Sequence, residues 1–211
     1  MDKVIDNALE YVKNFFAGDS GGHDYFHTLR VYHSVVRIAS AEGADVRIVS
    51  LAALLHDVDD RKLSPETAAN KDNARNFLKS NGVPPEEMEA IVGIISRISF
   101  GDGQIPDSLE GKCVQDADRL DAIGAVGIGR AFAFGGSKGR LMHDPDTPPK
   151  LNMTPEEYKK SQSTTVNHFY EKLLKLKDTM HTQTARHLAE KRHAFMCEFL
   201  DQFLGEWDGR R

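Results

Sequence analysis

A five-residue apolar run, Leu51-Ala52-Ala53-Leu54-Leu55, passes without a break into His56-Asp57. A segment with no polar face belongs in a core, and a carboxylate carried into a core needs a partner charge or a metal ion. The pair therefore restricts the chain to folds in which other polar groups converge on the end of a buried segment. Two residues of the right kind are present. His27 lies upstream, four residues before Val31 on an amphipathic stretch, and Asp118 lies downstream in Asp116-Ala117-Asp118-Arg119-Leu120-Asp121. His27, His56, Asp57 and Asp118 together offer two nitrogen and two oxygen donors, a set suited to one divalent cation. A single histidine on an apolar face is more often a hydrogen-bonded core residue, and a lone His-Asp dipeptide is common by chance. The ordered set, with a helical context at every member, carries the metal reading. Asp118 shares a helix face with Asp121 while Asp116 points elsewhere, which makes Asp118 the preferred fourth ligand and Asp116 the fallback.

Apolar residues recur with a helical period almost everywhere else. Val4, Ile5, Ala8, Leu9, Val12, Phe15 and Phe16 mark a first helix, stopped by Gly18. A second is expected from about Asp24 to Ser40, with His27, Val31, Val35 and Ile38 inward. A third, from about Asp45 to Asp57, carries Val46, Val49, Ala53 and His56 on one face. Ser64-Pro65-Glu66 reads as a cap opening a helix that ends at Asn81-Gly82. Pro84-Pro85 starts the next, with Met88, Ile91, Val92 and Ile95 as its buried stripe. A long helix is expected from about Leu109 to Phe134, then a polar lid loop, a helix capped by Thr154-Pro155-Glu156-Glu157, and a last helix from Glu190 to Leu204. Phe132, Phe134, Phe169, Phe195, Met196 and Phe199 fall at helical spacing and read as core. No strand, repeat or low-complexity tract stands out. The expectation is an all-α bundle, residues 1–211 as a single domain, with a metal-binding core at about 22–134, a lid at about 135–153 and C-terminal helices at 154–204.

Composition narrows the function classes. A chain of 211 residues with 40% hydrophobic and 28% charged residues can bury a core and stay soluble. A net charge of -5 gives no general reason to bind a nucleic acid polymer or an anionic membrane. Cys113 and Cys197 are too few and too far apart for a disulfide framework or a zinc-thiolate site. With no membrane-length apolar stretch and no signal-peptide pattern at Met1–Phe16, a cytoplasmic location is expected. The apolar faces of the late helices either finish the core or pair two copies as a homodimer.

Three stretches resemble a known family: Gly22-His23-Asp24-Tyr25-Phe26-His27-Thr28-Leu29-Arg30-Val31, Leu54-Leu55-His56-Asp57-Val58-Asp59-Asp60, and Asp116-Ala117-Asp118-Arg119-Leu120-Asp121-Ala122. Their order, H…HD…D, is the defining pattern of the HD-domain metal-dependent phosphohydrolases. The resemblance runs from about Gly22 to Phe134. The tail, with Lys138-Gly139-Arg140 and Asn167-His168-Phe169-Tyr170, is similar to a small stand-alone bacterial branch linked to nucleoside triphosphate hydrolysis, in some members at the α–β phosphate linkage. The resemblance implies a metal-dependent phosphohydrolase acting on a nucleotide or related small phosphate, in the manner of a nucleoside triphosphate pyrophosphohydrolase.

Four protein ligands on an octahedral ion leave one position for water and one for a phosphoryl oxygen. Imidazole plus carboxylate favours Mn, Fe, Co, Ni or Zn over Mg, and manganese is the expectation. A general base must lie one hydrogen bond from the water. Asp60, three residues beyond Asp57, is the candidate; many family members use an acidic residue at this spacing, usually the longer glutamate. Arg30 is the first choice to meet charge on the phosphoryl group, and His23 is a candidate supporting residue or leaving-group acid. Arg119 stands where some triphosphohydrolases of the superfamily carry a phosphate-contacting lysine. Lys138, Arg140, His168 and Lys172 complete the candidate phosphate-binding set, each with solvated surface charge as its plain alternative. Two other classes compete: a non-catalytic HD module that senses a nucleotide, and an HD-type di-iron oxygenase, which needs a second His/Asp cluster. A cyclic-dinucleotide phosphodiesterase is disfavoured because its glycine-tyrosine-proline signature is absent.

Overall fold

The computed structural model describes residues 2–18, 24–61, 63–98, 104–154, 157 and 163–211. Among the described residues there are nine α-helices and one 3-10 helix, and no strand. The all-α expectation holds. The chain divides into two compact units, Met1–Asp118 and Arg119–Arg211.

The first unit is built around α3 (Val46–Leu55), against which α1 (Lys3–Phe15), α2 (Tyr25–Glu42) and α5 (Pro85–Ile95) pack. Its start is fixed by Asp45, whose carboxylate accepts from the N–H groups of Arg47 and Ile48. From Val49 to Leu55 every residue is buried, so this helix is apolar all round rather than on one stripe. Val46, expected inward, is 38% exposed because it sits in the first turn, before the helix enters the core. Asp24 caps α2 by accepting from His27 N at 2.7 Å, and His27, Val31, Val35 and Ile38 form its buried face. The helix ends at Gly43, left-handed at φ 77, whose N–H returns to Ala39 O.

Two boundaries differ from expectation. The helix read from Ser64-Pro65 starts only at Asp72 (α4, Asp72–Ser80), and residues 65–71 are turns. Ser64 O accepts from Thr67 N and Ala68 N, but Lys71 is left-handed at φ 59, which interrupts a continuous helix. The long helix read from Leu109 to Phe134 is two, α6 (Leu109–Asp121) and α7 (Gly124–Ser137), broken where Gly124 takes φ 80. A Cβ there would lie 2.9 Å from Arg192 Cγ, so the break needs glycine for its backbone and for its close neighbour.

In the second unit α9 (Gln183–Trp207) packs on α7 and on the 3-10 helix Leu173–Thr179, with α8 (Thr165–Glu171) alongside. The last helix begins well before Glu190, capped by Thr182, which accepts from Ala185 N. Thr154 and Glu157 form the expected reciprocal cap, each side chain accepting from the other's N–H; the helix expected after them lies largely outside the described residues. Phe169 and Met196 are fully buried, and Phe132, Phe169 and Phe199 form a ring cluster. Phe134 and Phe195, expected in the core, are 46% and 48% exposed because each lies on the outer side of its helix. No helix among the described residues is long and apolar enough to cross a membrane.

Candidate metal centre

His56 is the residue at which α3 ends, so the His-Asp pair lies on a buried turn rather than on a helix. Its Nδ1 lies 2.7 Å from Ala53 O and must donate to it. That bond fixes the tautomer and leaves the Nε2 lone pair facing inward. His56 Nε2 is buried, with Asp57 Oδ2 3.1 Å away. His27 Nε2 lies 3.5 Å from Asp57 Oδ2 and 3.5 Å from Asp118 Oδ1, and His56 Nε2 lies 4.0 Å from the same Asp118 oxygen. The donor atoms of His27, His56 and Asp118 fall within 4.8 Å of one another. Donors sharing an ion at roughly 2.1 Å are separated by about 3 to about 4 Å, so this set fits a divalent cation. The two imidazoles are buried, while the Asp118 side chain is 28% exposed, which makes its side the open one.

Electrostatics point the same way. Burial pushes the His56 imidazole down, but the carboxylates of Asp57 and Asp118 and the Ala53 carbonyl outweigh it and raise the group to about 9. Two carboxylates crowd positive charge into a buried pocket, where a cation can replace that proton. Asp116, the fallback ligand, is fully buried on α6 but does not join the converging group.

The HD-domain family model matches residues 24–123, the segment that contains all four donors. Across nearly the whole chain the fold and sequence agree with an HD-superfamily hydrolase from Bacillus thuringiensis, at 41% identity and a TM-score of 0.79 over 97% of this chain and 96% of that one. The chain belongs to the HD-domain family. A Lactobacillus plantarum protein of known structure is similar at 40% identity and a TM-score of 0.83, covering 99% of both chains. YpgQ of Bacillus subtilis is 42% identical over 95% of this chain and 92% of its own length. Its crystal structure in complex with ADP superposes with a TM-score of 0.78 over 98% of this chain and 100% of that one.

Asp60 follows the turn, half-buried, with its N–H on Asp57 O at 3.1 Å. Arg30 is half-buried on α2, one turn after His27. His23 lies outside the described residues. In the second unit, Arg119 donates from Nη1 to Thr179 O at 2.6 Å and lies 3.2 Å from His181 Nε2. Lys138 and Arg140 lie over the Phe134 ring, 5.6 and 5.8 Å from its centroid. His168 is driven down to about 4, first by burial and then by the cations of Lys172 and Arg140. These three residues therefore form one positive cluster with a neutral imidazole in it. Lys172 sits just past the end of α8, not on it.

Sequence reasoning missed Asp59, which is buried and caps α4. It also missed the Ala53 carbonyl that sets the His56 tautomer, and the ion pair of buried Asp121 with Arg130. Acidic neighbours of a ligand pair look alike in sequence; only the fold separates a capping carboxylate from a solvated one.

Proposed function

We propose that this protein is a divalent-metal-dependent phosphohydrolase acting on a nucleotide, in the manner of a nucleoside triphosphate pyrophosphohydrolase. The observation that carries the reading is the convergence of His27, His56, Asp57 and Asp118 on one point, with Asp118 on the open side. The ADP complex of YpgQ supports a nucleotide as the ligand class. The mixed nitrogen and oxygen donor set favours manganese over magnesium.

A bound cation supplies positive charge that polarises a phosphoryl group and acidifies water. The protein does the rest. A carboxylate oxygen of Asp60 takes the proton of the attacking water, and Arg30 meets the charge that develops on the phosphoryl oxygens. We assign polyphosphate binding to Arg119, Lys138, Arg140, His168 and Lys172, with His23 as the donor to the leaving group. His168 suits that role as a neutral hydrogen-bond donor, held neutral by burial and by the charges of Lys172 and Arg140. In the reaction, water oxygen bonds to the α-phosphorus, the α–β bridging bond breaks, and pyrophosphate leaves.

The test is turnover of a nucleotide panel by metal-stripped protein refilled with Mn, Co, Ni, Zn or Mg. Metal-dependent release of pyrophosphate is expected. Tight metal binding without turnover of any nucleotide would replace the enzyme by a sensing module.

A further inference from the structure

Asp59 stands between the ligand Asp57 and the candidate base Asp60, yet it takes no part in the converging donor group. It is 0% exposed. Its two oxygens accept from Asn73 N at 3.1 Å and Ala74 N at 3.0 Å. Those are the second and third residues of α4, whose N–H groups an N-cap side chain ordinarily satisfies. The local cap position is held by Lys71, which makes no side-chain capping bond and has a left-handed backbone. Asp59 thus caps α4 from a distance, its first partner Asn73 lying 14 residues downstream.

The contact is tied from the other direction as well. Asn73 Nδ2 donates to Val58 O at 2.9 Å and to Thr67 Oγ1 at 3.0 Å, and Lys71 Nζ donates to Asp59 O at 3.3 Å. Four hydrogen bonds from the start of α4 therefore hold Val58 and Asp59, the two residues directly after the ligand pair. The Tyr11 ring of α1 lies 4.9 Å from Phe77 of α4. The anchorage matters because α3 has already ended: residues 56–59 are a turn, and no helix fixes Asp57.

We infer that Asp59 and Asn73 are positioning residues, a lock between the His-Asp turn and α4 that sets how tightly the centre holds its cation. The inference rests on the metal-centre reading above. A helix cap alone would change stability and leave cation affinity untouched; a lock on the turn changes both. Outer groups that orient metal ligands are typically worth about 10- to 100-fold in affinity.

The experiment is calorimetric titration of metal-stripped full-length protein with Mn, comparing wild type with Asp59→Asn and Asn73→Ala. Leu200→Ala, in the buried face of α9, serves as a destabilised control without a part in the lock. Both lock variants are expected to weaken Mn binding by roughly 10- to 100-fold. At saturating Mn they lower kcat while KM for the nucleotide stays within about threefold. The control is expected to melt earlier with its Mn affinity unchanged. Mn affinity within twofold of wild type in both lock variants would overturn the inference while leaving the metal centre standing. A wild type that binds no Mn overturns the metal reading itself, and the inference with it. Should Asp59→Asn not fold, Asn73→Ala decides alone, since it keeps the backbone bonds to Asp59.

Discussion

His56 carries two bonds' worth of information: Nδ1 is committed to Ala53 O, and Nε2 is left buried with a carboxylate beside it. Two predictions belong to this scale. Asp60→Asn keeps the carboxylate's shape as a carboxamide but cannot take a proton, so metal content is retained while turnover falls about 10²- to 10⁴-fold. A rate within a few-fold of wild type removes Asp60 from the mechanism. His168 gives a pH prediction unrelated to the metal. Its folded value of about 4 lies below the ordinary 6.5, so the unfolded chain binds the proton more readily. The stability this group contributes is present above about pH 6.5 and is lost as pH falls toward 4. His168→Gln, which cannot titrate, should flatten that acid limb by on the order of 1–3 kcal/mol in denaturant titrations at pH 7 and pH 4.5. Parallel limbs in the two proteins would contradict the burial of a neutral imidazole.

At the scale of the element, the break between α6 and α7 is the feature most dependent on one residue. Gly124→Ala places a side chain in the left-handed region and against the Arg192 stem. The expected cost is about 1–3 kcal/mol, visible as a lower urea midpoint; a midpoint shift worth less than about 0.5 kcal/mol means the junction relaxes freely. This break was hidden in the sequence because Ile123-Gly124-Ala125-Val126 continues the apolar period straight across it. The start of α4 was hidden for another reason: its cap, Asp59, is distant in sequence, whereas Ser64-Pro65 imitates a local one. Where the start signal is local, as with the caps Asp24 and Asp45 and with Pro85 at the first helical position, the boundaries were legible. The convergence of His27, His56 and Asp118 was legible too, because each sits on or beside an apolar stripe that has to point inward. The basic residues were not, since a cation looks the same in sequence whether it meets a carbonyl, as Arg119 does, or acts on a buried imidazole, as Arg140 and Lys172 do on His168.

At the scale of the whole molecule, the chain separates at Asp118, and the candidate donors His27, His56, Asp57 and Asp118 belong to the first unit. They come from α2, from the turn after α3 and from α6, elements distant in sequence. A ligand that bridges such elements stabilises the folded state alone. At a concentration 100 times its dissociation constant it adds about 2.7 kcal/mol, roughly 5–10 °C in melting temperature for a chain of this size. Stripping the metal should remove that increment and refilling with Mn should restore it; a melting temperature indifferent to both would mean that no cation joins these elements. The most direct measurement is the metal content of protein equilibrated with Mn and freed of excess, for wild type and for His56→Ala. One equivalent per chain in the wild type and none in the variant is the predicted result. A full equivalent retained by His56→Ala would show that the cation is held elsewhere and that the centre described above is not the metal site.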